Sequence, residues 1–93
     1  MDKKDFRFLD WEVYKNTKDF CREIFRVVDK VPKQYRFELS SQLIRSSTSI
    51  LLNIAEGSGK NSDKELNRFF DIALGSINET VANLDLMLDN KLI

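Results

Sequence analysis

The segment 41–57 most constrains the fold, because its apolar residues recur at the spacing of an α-helix. On a helical wheel of about 100° per residue, the apolar positions cover about 200°, whereas an ordinary surface helix shows a stripe of roughly 100°. These positions are Phe37, Leu39, Leu43, Ile44, Ile50, Leu51, Leu52, Ile54 and Ala55. So wide an arc predicts a central helix that is buried against two neighbours or against another subunit.

A line of polar side chains runs beside this arc and consists of Gln42, Arg45, Ser46, Ser49, Asn53 and Glu56. The plainer interpretation is a solvated face. The alternative is a buried hydrogen-bonding seam, since serines are indifferent helix formers and small side chains let two helices approach closely. Gly57 follows where a left-handed C-terminal cap is expected.

Two further helices are predicted, which gives three helices at about 9–31, 36–56 and 63–89. Pro32 ends the first helix, and the glycines of the segment 57–61 predict a turn after the second. Ser62 and Glu65 fit a capping box at the start of the third. The expected fold is a single all-α domain over residues 1–93, an antiparallel up-and-down helical bundle.

The charge pattern argues against a strong nucleic-acid binder, because 15 basic residues are balanced by 15 acidic ones. One face of the first helix is nevertheless basic, through Lys15, Lys18, Arg22, Arg26 and Lys30, and such a row could follow a phosphate backbone. Acidic residues interrupt it, and Lys15 with Asp19 forms an i,i+4 pair, so a solvated mixed-charge face is favoured.

Catalytic and metal-binding patterns are missing from the sequence. There is no histidine, and the single cysteine excludes an internal disulfide or a cysteine-based metal cluster. We therefore expect no enzyme activity, no cofactor, no metal and no small-molecule substrate. The lone cysteine suits a reducing cytoplasm, and no signal peptide or membrane span is evident, so a cytoplasmic location is expected.

A second line on the third helix consists of Arg68, Ile72, Gly75, Glu79 and Leu86. A glycine in mid-helix costs about 0.8–1 kcal/mol relative to alanine, which makes sense where another backbone comes close. The line is a candidate subunit contact, and the alternative is a solvent face that tolerates a glycine.

Several motifs together resemble one protein family. They are the run 42–45, Ser49-Ile50, the run Asn-Ile-Ala-Glu-Gly at 53–57 with Gly59-Lys60, and downstream Glu65, Arg68-Phe69, Ala73, Gly75-Ser76 and Glu79. This pattern resembles the bacterial 23S rRNA intervening-sequence proteins over roughly residues 8–93. The resemblance implies a four-helix bundle that assembles into a ring-like homopentamer without known enzymatic activity. It also implies a relation to the accessory proteins of diversity-generating retroelements, which bind a reverse transcriptase and RNA.

The family motif falls on Gln42, Arg45, Ser49, Asn53, Glu56, Gly57, Arg68, Gly75, Ser76 and Glu79 of this chain. We expect structural roles, with Arg45 and Asn53 pairing with Glu56 or Glu79 across helix or subunit boundaries.

The chain provides three helices where the resemblance implies four, which would leave part of the apolar face between residues 66 and 88 uncovered. Either this is a truncated gene or a fragment, or a partner subunit covers the gap. The expected function is an oligomeric interaction module or scaffold. The alternative is an RNA-binding accessory protein that partners a reverse transcriptase.

Overall fold

The computed structural model describes residues 6–93, so the first five residues of the predicted domain lie outside the description. Three long α-helices account for most of it: a first helix Glu12–Val28, a middle helix Ser41–Ser58 and a last helix Asp63–Asp89. A short 3₁₀ turn, Arg7–Asp10, precedes the first helix, and residues 6–93 contain no strand. The prediction of an all-α helical bundle is confirmed.

The middle helix lies at the centre of the fold. The first and last helices both pack against it and hardly contact each other. Because the first and last helices hardly contact each other, the three helices form an open layer, and the backbone measures 43 × 27 × 19 Å.

Two clusters of buried side chains hold this layer together. One contains Ile24, Val31, Leu43 and Met87, and the other contains Ile50, Ile54 and Ala73. The middle helix contributes to both clusters. The wide apolar arc of the middle helix thus packs against one neighbouring helix on each of two sides, as the sequence predicts.

The connection from the first to the middle helix differs from the prediction. The first helix ends at Val28, before the predicted boundary at 31, and Val31 turns into the core. The Arg36 guanidinium then donates hydrogen bonds to the carbonyl oxygens of Val31, at 3.0 Å, and Asp29, at 3.2 Å. After one helical turn, Lys33–Tyr35, a π-helical turn, Arg36–Ser40, leads into the middle helix. The sequence contains no recognisable signal for this wider turn.

In the turn between the middle and last helices, Gly57 does not form the left-handed cap that the sequence predicts. The middle helix continues past Gly57 to Ser58, and no glycine of the described chain has a positive φ. The prediction of a left-handed cap is therefore wrong. Gly57 is instead a point of close approach, because a Cβ atom there would lie 3.0 Å from Cβ of Phe69. A side chain at this position would push the two helices apart.

The start of the last helix forms half of the predicted capping box. The backbone N–H of Glu65 donates to Ser62 Oγ at 3.2 Å, which satisfies one of the free donors of the first turn. The Glu65 carboxylate lies 3.6 Å from Arg68. The Glu65 carboxylate thus forms an exposed ion pair with Arg68, one turn along the helix, and does not complete the capping box.

Candidate interaction surfaces and a polar seam

A seam of hydroxyl groups joins the middle and last helices. Thr80 Oγ1 lies 2.9 Å from Ser46 Oγ, and Ser76 Oγ lies 2.9 Å from Ser49 Oγ. The Asn53 amide donates to the carbonyl oxygen of Ser49 at 2.8 Å and approaches its hydroxyl at 3.0 Å. We call Ser46, Ser49, Asn53, Ser76 and Thr80 the hydroxyl seam. Because Ser46 faces Thr80 while Ser49 faces Ser76, the two helices run antiparallel.

The hydroxyl seam can fix the register of the two helices. Ser46, Ser76 and Thr80 are buried, and a hydrogen bond of this kind contributes about 0.5–1.5 kcal/mol. Sliding one helix by a turn would separate both hydroxyl pairs, whereas an apolar contact tolerates such a shift more easily. The seam therefore favours one alignment.

The polar line that the sequence shows on the middle helix is divided by the structure. Ser46, Ser49 and Asn53 belong to the hydroxyl seam, while Gln42, Arg45 and Glu56 are exposed. The seam interpretation thus holds for Ser46, Ser49 and Asn53, and the solvated-face interpretation holds for Gln42, Arg45 and Glu56. Thr80 is missed in the sequence analysis, although Ser76 and Thr80, one turn apart, suit a partner helix with serines at similar spacing.

The expected pairing of Arg45 and Asn53 with Glu56 or Glu79 does not occur inside the chain. Asn53 contacts Ser49, and Glu56 lies 3.6 Å from Lys60. Within residues 6–93, neither Arg45 nor Glu79 has an ion pair. Pairing across a subunit boundary stays a prediction.

A surface of mixed character is formed by exposed side chains of the middle and last helices. We call it the outer face and define it by Arg45, Leu52, Glu56, Arg68, Ile72, Gly75, Glu79 and Leu86. Its apolar side chains are well exposed, Leu52 at 63%, Ile72 at 43% and Leu86 at 52%. A Cβ atom at Gly75 would meet nothing within 4 Å, so no close approach inside the chain explains this glycine.

An apolar groove opens on the other side, between the first and last helices. Its walls are Val13 and Phe20 on the first helix and Ile77 and Val81 on the last, with Ile50 at the bottom. Phe70 and Leu74 extend it along the last helix. This open groove corresponds to the uncovered apolar face that the sequence predicts.

The basic row of the first helix is exposed but largely compensated. Lys15 lies 3.8 Å from Glu12, Arg22 lies 2.8 Å from Asp19, and Arg26 pairs with Glu23. The expected Lys15–Asp19 pair is absent, because Asp19 contacts Arg22 instead. Lys18 lies over the ring of Tyr14, 5.7 Å from its centroid, and Lys30 is exposed. Three of the five cations are thus held by carboxylates of their own helix.

The described residues offer no metal centre, since they contain no group of three or more residues that could hold a metal ion. Cys21 is buried, with its Sγ atom 3.5 Å from the carbonyl oxygen of Ser47. Burial raises the pKa of this thiol, so it stays in the unreactive protonated form at neutral pH. None of the described helices is long and apolar enough to cross a membrane.

The antiparallel helices and their hydroxyl seam define a small helical-bundle protein. A family model described as 23S rRNA-intervening sequence protein matches residues 9–93. The chain therefore belongs to the 23S rRNA-intervening sequence protein family, and the resemblance drawn from its motifs is confirmed. A search of curated proteins finds no match.

Proposed function

We propose that this protein is a non-catalytic interaction module whose copies associate through the outer face. The observation that carries the proposal is the exposure of three apolar side chains, Leu52, Ile72 and Leu86, together with an exposed mid-helix glycine, Gly75. Single exposed apolar residues are normal on a protein surface. A glycine in mid-helix on the same face is less expected, because it lowers helix stability. A helix of a second copy packed against Gly75 would explain both the glycine and the exposed apolar side chains.

The charges of the outer face support a specific alignment between copies. Arg45 precedes Glu56 by the same eleven residues that separate Arg68 from Glu79. The antiparallel alignment within one chain already brings these charges to matching heights, where Glu56 pairs with Lys60 and Arg68 with Glu65. An antiparallel contact in the same register between one copy's middle helix and another copy's last helix would set Arg45 opposite Glu79 and Glu56 opposite Arg68. The same register sets Leu52 opposite Ile72. Apolar contact and charge pairing would then agree.

A charge exchange tests this alignment. We expect Arg45→Glu to lower the mass measured by sedimentation velocity, because it would place a carboxylate against Glu79 of the neighbouring copy. Adding Glu79→Arg should restore the mass by re-forming the pair with its charges reversed. The matched control is Lys64→Glu, which reverses the charge of an exposed lysine that lies outside the outer face.

Two results would overturn the alignment. One is a double variant that associates no better than Arg45→Glu. The other is a control that dissociates as much as Arg45→Glu, since the effect would then come from net charge and not from a specific pair.

The alternative function, an RNA-binding accessory protein that partners a reverse transcriptase, rests on the basic row of the first helix. Several copies would present this row several times, and linked weak sites gain affinity by avidity. The ion pairs with Glu12, Asp19 and Glu23 weigh against it. Retention of labelled structured RNA that falls steeply with salt, and falls further in Lys18→Gln with Lys30→Gln, would favour it over the scaffold role.

A further inference from the structure

Phe37 is the most exposed large apolar side chain of the described residues, with 81% of its surface accessible. The sequence pattern places it in the wide apolar arc of the middle helix, yet little of its own chain covers it. An aromatic side chain that packs buries about 150–250 Å², so an exposed ring forgoes much hydrophobic stabilisation. Packing inside one chain therefore does not explain the position of Phe37.

The backbone around Phe37 is held firmly. The residue belongs to the π-helical turn Arg36–Ser40. On one side, the Arg36 guanidinium donates to the carbonyl oxygen of Val31 at 3.0 Å, and on the other side Leu39 packs against the buried core. Because both neighbours are fixed, the ring stands on a rigid support, and a partner that binds it would have little additional backbone to order.

The π-helical turn also decides which side of the middle helix carries Phe37. Such a turn holds one residue more than an α-helical turn, because its hydrogen bonds join residues i and i+5. Phe37 precedes Arg45 by eight residues, and once the turn has absorbed one of them, the remaining seven make almost two turns of 3.6 residues. Leu52 follows Arg45 by another seven. Phe37 thus lines up with Arg45 and Leu52, whereas in an uninterrupted α-helix it would lie about 60–80° away from them.

The last helix carries a matching stripe. Ile72, Glu79 and Leu86 are exposed and also follow one another at intervals of seven residues. Each of the two stripes has one charged residue between two apolar ones, and the two charges are opposite. A seven-residue repeat is the spacing at which paired helices keep one seam in contact. The two stripes are therefore complementary in spacing, apolar character and charge.

We propose that Phe37 anchors the association of copies by packing against Leu86 of the neighbouring copy. The proposal rests on the outer-face contact proposed above and adds its third pair of residues. In the antiparallel register that sets Arg45 opposite Glu79, one further step of seven residues brings Phe37 and Leu86 together. Leu86 is 52% exposed, and in this register no residue of Ser41–Ser58 lies opposite it.

A second copy is the occupant that this surface fits, because both complementary stripes belong to the same chain. Within one chain the middle and last helices are antiparallel in nearly the same register. Rotation about an axis parallel to the helices keeps every residue at its level, so residues that share a level in one chain meet between two copies. Large apolar side chains would then supply the affinity, and the charged pair would fix the orientation.

Truncation of the ring tests its contribution. Phe37→Ala should raise the dissociation constant of the assembly, measured by sedimentation velocity over a range of concentrations, by about tenfold or more, because the central aromatic anchor is lost. The matched control is Phe25→Ala, which removes a ring that is 49% exposed on the first helix. It should change the dissociation constant by no more than about twofold. Circular dichroism checks that both variants are folded.

Cross-linking between separately prepared chains tests the geometry. One chain carries Phe37→Cys, and the other carries Leu86→Cys and an affinity tag. After subunit exchange at high protein concentration, mild oxidation should give a covalent heterodimer, since a disulfide needs Cα atoms about 4.4–6.8 Å apart. Cys21 can stay in place because its thiol is buried. A mixture of Phe25→Cys with the tagged chain is the control and should give no heterodimer.

Two results would overturn the role of Phe37 and leave the outer-face contact standing. One is a Phe37→Ala variant that associates as tightly as the unchanged chain although Arg45→Glu dissociates. The other is a heterodimer yield with Phe37→Cys no higher than with Phe25→Cys. A monomeric chain, or a mass that neither Arg45→Glu nor Phe37→Ala alters, would instead overturn the outer-face contact and the role of Phe37 with it.

Discussion

At the scale of single residues, two glycines show how differently the same residue type is used. Gly57 is buried where the middle and last helices approach each other, and Gly75 is exposed with open space around it. Sequence patterns suggested a cap for the first and a close approach for the second. They could not distinguish the two positions, because the distance between helix backbones depends on packing that no local motif encodes.

Alanine substitutions at these two positions should have opposite effects on the free energy of unfolding. Gly57→Ala should destabilise the chain by about 1–3 kcal/mol, because its Cβ atom would lie 3.0 Å from Cβ of Phe69. Gly75→Ala should stabilise the helix of the dissociated chain by about 0.8–1 kcal/mol. Urea denaturation at low protein concentration measures both changes, and changes of the same sign would show that the account of one glycine is wrong.

At the scale of the elements, the hydroxyl seam is the feature that specifies how the middle and last helices align. The seam uses four hydroxyl groups and one amide, and its two cross-helix contacts are both 2.9 Å long. A packing surface of leucines would be more apolar but would define the register less sharply.

A double-mutant cycle measures whether the two helices are coupled through this seam. We expect Ser46→Ala and Thr80→Val each to cost about 1 kcal/mol. Their combined cost should be smaller than the sum by about 0.5–1 kcal/mol, because both remove the same contact. Thr48→Val is the control, since its hydroxyl bonds only to carbonyl oxygens of its own helix, Ile44 and Arg45. Additivity in the Ser46–Thr80 cycle would contradict a coupled seam.

The sequence predicts the helices better than it predicts their ends and contacts. Periodicity places the last helix at about 63–89, where the structure has Asp63–Asp89, because a long amphipathic pattern leaves little choice. The π-helical turn Arg36–Ser40 and the early end at Val28 depend on Arg36 and on the burial of Val31. Such tertiary contacts leave no periodic signal. For the same reason, the sequence places Ser46 on the polar line but does not identify Thr80 as its partner.

At the scale of the whole molecule, the open layer of three helices leaves two different surfaces uncovered. The outer face combines apolar side chains with both signs of charge, whereas the groove is lined mainly by apolar side chains. We propose the outer face as the contact between copies of the chain.

The solution mass, measured by light scattering over a range of concentrations, tests whether copies of this chain associate through the outer face. We expect a mass that is a multiple of the 10.9 kDa of one chain. We expect it to return to 10.9 kDa in folded Ile72→Glu but not in Val81→Glu. A folded chain that stays at 10.9 kDa at every concentration would contradict it.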